Sequence, residues 1–330
     1  MISLDTRIDL LDKLAQYISS NDEQWLNTKR RAMDANGWFT QDNINLALDS
    51  ITNNFLQRDL LEKWVANYSI KDEKKTIGII MAGNIPLVGF HDFLCGFISG
   101  HNLLLKLSSK DEILLKHLIQ VLIEWEPELT ETIKTTELLK NCDAYIATGS
   151  NNSARYFEQY FGKYPNIIRK NRTSVALLDG AETKEDLLNL GNDIFNYFGL
   201  GCRNVTKLYI PEGYSIPNFL DAMTPFKDII NHHKYKNNYD YHLAIYLLNK
   251  VPYHSDDTLL MVENELPFSA VSVLHYEYYK DKKQLISSLQ NDDRIQAIVG
   301  EGAIPFGQSQ KPTLNDYADG VDTMLFLNDL

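Results

Sequence analysis

The chain has 330 residues, 44% of them hydrophobic, and a formal net charge of −12. That length and apolar content allow two domains or one large one and exclude a small module held together by disulfides or metal. The basic residues are scattered among acids, which excludes nucleic acid as a partner, because neutralising phosphates needs clustered Lys and Arg.

In chain order, residues 1–13 carry acids where a signal peptide has a basic flank and an apolar stretch. Apolar stretches elsewhere are interrupted well before the roughly 18 residues of a membrane span. A cytoplasmic protein without membrane contact is therefore expected. Cys95, Cys142 and Cys202 stand far apart without metal-ligand spacing, so reduced thiols and no metal are expected. Between residues 3 and 68 the apolar positions recur at helical spacing (Leu11, Leu14, Ile18; then Ile44, Leu48, Ile51, Phe55).

Past a charged linker at 71–75, short β-rich runs at 76–82, 102–107, 143–147 and 174–178 alternate with helical stretches at 86–99, 111–125 and 153–160. This alternation predicts a parallel sheet covered by helices on both faces. A second α/β stretch follows. It has helices at 184–197, 217–223, 241–248 and 283–289, strands at 205–210, 259–262, 269–275 and 295–299, and a glycine-rich turn at 199–202. The expected organisation is a helical region 1–70, α/β domains 71–173 and 174–301, and a loop-like tail 302–330.

Four short motifs could carry chemistry. Gly199-Leu200-Gly201-Cys202-Arg203-Asn204 puts two glycines before a cysteine, leaving room for a ligand to approach the sulfur. Gly83-Asn84-Ile85-Pro86 follows the first strand, where open α/β sheets bind ligands, although no Gly-x-Gly-x-x-Gly fingerprint accompanies it. Lys106-Leu107-Ser108-Ser109 ends the second strand, and Thr148-Gly149-Ser150 opens a helix. Singly, each motif has a plain structural reading as a turn, a helix cap or a strand end. Lys106, Arg203 and the group Arg169, Lys170 and Arg172 could offer a positive field to an anionic ligand, or be solvated surface charge.

Taken in order, Asn-x-Pro after a first strand, a strand-end Lys, Thr-Gly-Ser at a helix start and Gly-x-Gly-Cys resemble the aldehyde dehydrogenase superfamily. Ala82-Gly83-Asn84-Ile85-Pro86 and Gly199-Leu200-Gly201-Cys202-Arg203-Asn204-Val205-Thr206 look most like its acyl-CoA reductases of the bioluminescence fatty-acid reductase (LuxC) type. The resemblance runs from about residue 76 onward and implies an aldehyde-dehydrogenase-like fold of two α/β domains. It implies a catalytic nucleophile at Cys202, and an oxyanion hole from the Asn84 side-chain amide and the Cys202 backbone N–H. It also places Lys106 by the adenosine ribose, Ser150 by the pyrophosphate and Glu265, or Glu263 two residues earlier, by the nicotinamide ribose, with Ser108, Ser109, Thr148 and Gly149 as further cofactor-binding residues. Phe306, in Ile304-Pro305-Phe306-Gly307, matches a family loop near the active site.

Two departures refine these expectations. Where aldehyde-oxidising members carry the acid that activates water, this chain reads Arg172-Thr173-Ser174-Val175-Ala176-Leu177-Leu178. Losing that base favours reduction of the thioester over its hydrolysis. The position at which NAD-preferring members place an acid is Ser109, followed by Lys110, which favours NADPH, with NADH possible. The expected reaction is therefore reduction of an acyl-CoA, or another activated acyl donor, to an aldehyde. An acyl-activating partner enzyme and a homo-oligomer are family expectations. The alternatives are a hydrolytic aldehyde dehydrogenase and a non-catalytic acyl-binding module. His91, His232 and His233 are candidates for proton transfer, or plain core or surface histidines.

Overall fold

In the computed structural model, which describes residues 2–71, 73–300 and 302–330, the chain divides into two units. One ends at Asn171 and takes in Pro312–Leu330; the other is Arg172–Lys311. Asp72 in the expected linker and Glu301 at the expected domain end lie outside the described residues.

The first unit begins with helices α1 (Leu4–Ile18), α2 (Glu23–Ala35), α3 (Gln41–Asn54) and α4 (Arg58–Val65). Ser3, Asp22 and Thr40 cap the first three, each side-chain oxygen accepting a backbone N–H that the helix leaves unpaired. Then come β1 (Thr76–Ile80), α5 (Phe90–Ser99), β2 (Asn102–Lys106), α6 (Ile113–Trp125), α7 (Leu129–Thr132), β3 (Ile133–Thr135), β4 (Ala144–Thr148), α8 (Asn151–Phe161) and β5 (Asn166–Arg169). The five strands are parallel in the order β3-β2-β1-β4-β5. Their apolar runs are legible because a parallel sheet is buried on both faces. The N-terminal helices share one core with this sheet: Leu11, Leu14, Trp25, Leu56 and Trp64 are buried with Ile77, Ile79, Leu103 and Leu105. Fully burying an apolar side chain of this size contributes about 1.5–3 kcal/mol.

The loop-like tail expected from residue 302 is corrected here. Its end forms a helix, Thr323–Asn328, packed into the first unit. The Trp64 indole N–H donates to the Tyr317 hydroxyl (2.9 Å), Tyr68 donates to Asp322 (2.9 Å), and His101 Nε2 donates to the Leu327 carbonyl (2.9 Å). Arg169 is also corrected. It is buried, ion-paired with Asp92 and bonded to the Thr323 hydroxyl, so it is not solvated surface charge.

The second unit contains β6 (Thr173–Leu177), α9 (Lys184–Phe195), β7 (Val205–Pro211), α10 (Ile216–Ala222), α11 (His233–Asn249), β8 (His254–Ser255), β9 (Leu260–Glu263), β10 (Val273–Tyr279), α12 (Lys282–Gln290) and β11 (Ile295–Gly300). The sheet order is β11-β6-β7-β10-β9-β8, parallel except for the edge strand β8. The strand expected at 269–275 lies four residues later. Residues 269–272 form a turn in which the Ser269 hydroxyl donates to the Val273 carbonyl (2.6 Å), and Ser272 is left-handed (φ 66°). The polar, aromatic run Glu277-Tyr278-Tyr279 is paired strand because Glu277 meets Lys207 of the neighbouring strand. His232 caps α11 and His233 opens it, eight residues before the helix expected from 241.

Candidate active site

In the first unit the turn at 81–89 follows β1 and exposes Asn84. Its path is tight. A Cβ on Gly83 would stand 2.5 Å from the Ser108 hydroxyl oxygen, and one on Gly89 would stand 2.7 Å from the Met81 side chain. Leu87 is left-handed (φ 55°) with its side chain buried. Its N–H donates to Asp111 Oδ2 (2.7 Å), and the Val88 N–H also pulls towards the ionised form. Burial pushes the Asp111 carboxyl well above its ordinary pKa, against the pull of those two N–H groups, and its Oδ1 is buried with no hydrogen-bond partner.

Lys106, half-buried, closes β2, and Ser108 and the exposed Ser109 follow it. Ser108 has local work as well: its hydroxyl accepts from the Lys110 N–H (3.3 Å) and its carbonyl from the Asp111 N–H (2.9 Å). After β4, Thr148 and Gly149 are half-buried, and Ser150 caps α8 by accepting from the Ser153 N–H (3.2 Å). The structure thus brings Asn84, Lys106, Ser108, Ser109 and Thr148-Gly149-Ser150 to the carboxyl ends of the adjoining strands β2, β1 and β4. The chain changes direction across the sheet between β1 and β4, which is where open α/β sheets form ligand crevices.

In the second unit Cys202 sits on the turn between α9 and β7. The left-handed backbone of this turn begins before the two glycines, on Tyr197 (φ 54°) and Phe198 (φ 58°), and continues at Gly199 (φ 75°). Such residues cost of order 1–3 kcal/mol each when they are not glycine. Asn204, fully buried, offsets that cost. Its Nδ2 donates to the carbonyls of Asn196 (2.8 Å), Asp193 (3.0 Å) and Ile194 (3.4 Å), and its Oδ1 accepts the Gly201 N–H (2.8 Å). One side chain thus satisfies the carbonyls left over at the end of α9 and fixes the turn. From β6, the Ser174 hydroxyl donates to the Cys202 carbonyl (3.1 Å). Cys202 is half-buried, whereas Cys95 and Cys142 are buried and burial pushes both of their thiols up. A buried thiol held in its neutral form is a poor nucleophile, which leaves Cys202 as the cysteine suited to chemistry.

β7 and β10 together hold a second loop. The Lys207 ammonium donates to the Glu265 carbonyl (2.8 Å), His275 Nδ1 to the Leu266 carbonyl (2.9 Å) and the Thr206 hydroxyl to the Pro267 carbonyl (2.7 Å). Three successive carbonyls are fixed, and the carboxylates of Glu263 and Glu265 remain exposed. Lys207 is fully buried and ion-paired with Glu277; burial lowers its pKa, and Glu277 opposes that shift. Asp193, on α9, accepts from the N–H groups of Gly307 (2.6 Å) and Ser309 (3.0 Å) and from the Ser309 hydroxyl (2.7 Å), fixing the loop that carries half-buried Phe306.

The three histidines have structural partners. His91 Nε2 donates to the Leu314 carbonyl (3.1 Å) among the rings of Phe55, Trp64 and Tyr317. His232 stacks on Phe198 (4.3 Å between centroids) and on His233 (5.3 Å).

Residues 5–218 match the family model for acyl-CoA reductase (LuxC), well over half of the chain and including Asn84, Lys106 and Cys202. The chain belongs to the LuxC acyl-CoA reductase family. It is 21% identical over 225 residues to long-chain acyl-protein thioester reductase 2 of Photobacterium leiognathi, a match covering 61% of this chain and 46% of that relative. The chain thus spans about half the length of the curated relative it matches. Among solved structures it resembles aldehyde dehydrogenase 21 from Physcomitrella patens (TM-score 0.67, 11% identity, covering 91% of this chain and 74% of that one). It also resembles an indole-3-acetaldehyde dehydrogenase of P. syringae solved with NAD+ (TM-score 0.63, 12% identity, 90% and 72%). This LuxC-family chain therefore has an aldehyde-dehydrogenase-like fold, α/β with parallel sheets.

The motifs of this LuxC-family chain leave out Asp111, Lys207 and His275 and give no role to Asn204 and Thr206, the residues that hold the candidate groups in place. One signal was present: Lys207 interrupts the apolar strand of β7, and a lysine there needs a partner such as Glu277.

Proposed function

We propose that this chain reduces an acyl thioester to an aldehyde through an acyl-Cys202 intermediate. The observation that carries the reading is the environment of Cys202: a half-buried thiol on a turn fixed by Asn204, with the Ser174 hydroxyl from β6 on its carbonyl. The side chain that β6 lays on this turn is a hydroxyl, which does not activate water as a carboxylate does, so the reading favours reduction over hydrolysis. In the proposed reaction the Cys202 thiolate attacks the acyl carbonyl. The Asn84 amide and the Cys202 N–H stabilise the oxyanion, and its collapse breaks the carbon–sulfur bond to the donor, which leaves as a thiolate. Reduction of the acyl-cysteine and collapse of the thiohemiacetal then release aldehyde and return the Cys202 thiolate.

A nicotinamide dinucleotide, when bound, supplies the hydride. The donor set fits such a group. Lys106 and the hydroxyls of Ser108 and Ser109 suit a ribose and its phosphate, Thr148-Gly149-Ser150 at the positive end of α8 suits a pyrophosphate, and the exposed carboxylates of Glu265 or Glu263 suit a second ribose. With Ser109 and Lys110 both exposed and no acid at that position, NADPH is the preferred form. NAD+ is bound by the P. syringae enzyme of the same fold, which supports a nicotinamide cofactor in general. The acyl donor is a coenzyme A thioester or, following the name of the Photobacterium relative, an acylated partner protein.

Intact-protein mass spectrometry tests this directly. Incubated with a long-chain acyl-CoA, wild type should gain one acyl group and lose it on addition of NADPH with release of aldehyde, and Cys202→Ala should gain none. An adduct that persists on Cys202→Ala, or wild type that releases free acid instead of aldehyde, would overturn the assignment.

A further inference from the structure

The turn bearing Asn84 is braced from the neighbouring loop. Asn84 is exposed, Leu87 is left-handed, and α5, which follows, has no side-chain cap of its own at Gly89. The bracing comes from the loop after β2. Its Asp111 carboxyl takes the N–H of Leu87, and its Ser108 packs so closely on Gly83 that a methyl there would stand 2.5 Å from the hydroxyl oxygen. The two contacts flank Asn84, one residue before it and three after.

We infer that Asp111 is a positioning residue for thioester activation: its buried carboxyl, accepting the Leu87 N–H, fixes the turn that presents the Asn84 amide to the acyl oxygen. This rests on the reading of Asn84 as an oxyanion donor. A hydrogen-bond donor to an oxyanion is effective only when aimed in advance, and a misplacement of about 1 Å can cost on the order of 100-fold. The same carboxyl ties the Asn84 turn to the loop of Lys106, Ser108 and Ser109, so the expected oxyanion donor and the expected ribose contacts share one support.

The test is the single-turnover rate of Cys202 acylation by an acyl-CoA, read by mass spectrometry, in Asn84→Ala, Asp111→Ala, Asp111→Asn and the double variant Asn84→Ala/Asp111→Ala. Asp111→Ala should slow acylation by about 100-fold while the acyl-CoA concentration giving half the maximal rate stays within about threefold. Asp111→Asn, whose amide oxygen still accepts the Leu87 N–H, should recover to within about tenfold of wild type. On the Asn84→Ala background, Asp111→Ala should cost no more than about threefold further, because the group it positions is gone. Equal losses from Asp111→Ala on both backgrounds would mean general damage and overturn the inference, as would an unaffected Asp111→Ala beside a slowed Asn84→Ala. If Asn84→Ala itself acylates at the wild-type rate, the oxyanion reading fails first and the inference with it, a pattern distinct from the other two. Should Asp111→Ala not fold, Asp111→Ser replaces it in the same cycle.

Discussion

The two turns that carry the expected chemistry are both strained, yet they are held in opposite ways. The Cys202 turn bends through left-handed Tyr197 and Phe198 and is held by Asn204, a neutral, fully buried amide whose nitrogen and oxygen are both engaged. The Asn84 turn bends through left-handed Leu87 and is held by Asp111, a buried ionisable carboxyl with one oxygen unpartnered. A neutral brace with every bond made gives a shape independent of solution conditions. A carboxyl brace gives one that titrates, because an ionised carboxyl buried with unmet hydrogen-bonding capacity is costly.

The largest effects should separate the groups that act from the groups that hold. Asn84→Ala removes an exposed amide and should slow acylation by roughly 100- to 1,000-fold while leaving stability within about 0.5 kcal/mol. Asn204→Ala should do the reverse in proportion. It leaves a buried N–H and several carbonyls unpaired, at roughly 1–3 kcal/mol for each lost group, so stability should fall by about 3 kcal/mol and acylation by about tenfold to 100-fold. Urea unfolding and single-turnover acylation on the same preparations check both. If Asn84→Ala proves the less stable protein, the two turns do not differ in the way described.

Lys207→Met comes next. Methionine fills the buried volume but frees the Glu265 carbonyl, leaving two of the three bonds on that loop. If the loop presents a carboxylate to the cofactor ribose, the KM for NADPH should rise by about tenfold with kcat within about threefold, since uniform binding is what is lost. A changed kcat at constant KM would instead place the loop in the chemical step.

What could be read from the sequence follows from where each residue's partner lies. The strands at 76–80, 102–106, 144–148 and 205–211 are apolar runs buried on both faces, and the N-terminal helices repeat at the helical period, so local pattern suffices for them. Asn84 and Cys202 stand out because glycine and proline beside them mark turns. The supports do not stand out, because their partners are distant and mostly backbone: Asp111 serves Leu87, and Lys207 serves Glu265 and Glu277. Arg169 reads as solvated surface charge only until Asp92, 77 positions away, is seen beside it. The tail reads as loop because its helix is short and owes its place to Trp64, Tyr68 and His101.

The smallest effect concerns the titratable brace itself. Burial raises the Asp111 carboxyl in the folded chain above its ordinary value of 3.8, so the native state prefers the neutral acid and the unfolded state does not. The sign follows from linkage: the contribution of Asp111 to stability is whole below about pH 4 and is lost as pH rises through the folded-state pKa. Asp111→Asn keeps the acceptor and cannot ionise, so its stability relative to wild type should grow as pH increases from about 4 towards 8. Asp193 and Glu182 are also raised by burial, but both proteins keep them, so they cancel in the difference. Urea midpoints of the two proteins across that range give the comparison directly. A difference that stays flat with pH would mean that Asp111 is ionised in the folded chain throughout, and the contrast between a titrating and a non-titrating turn would be lost.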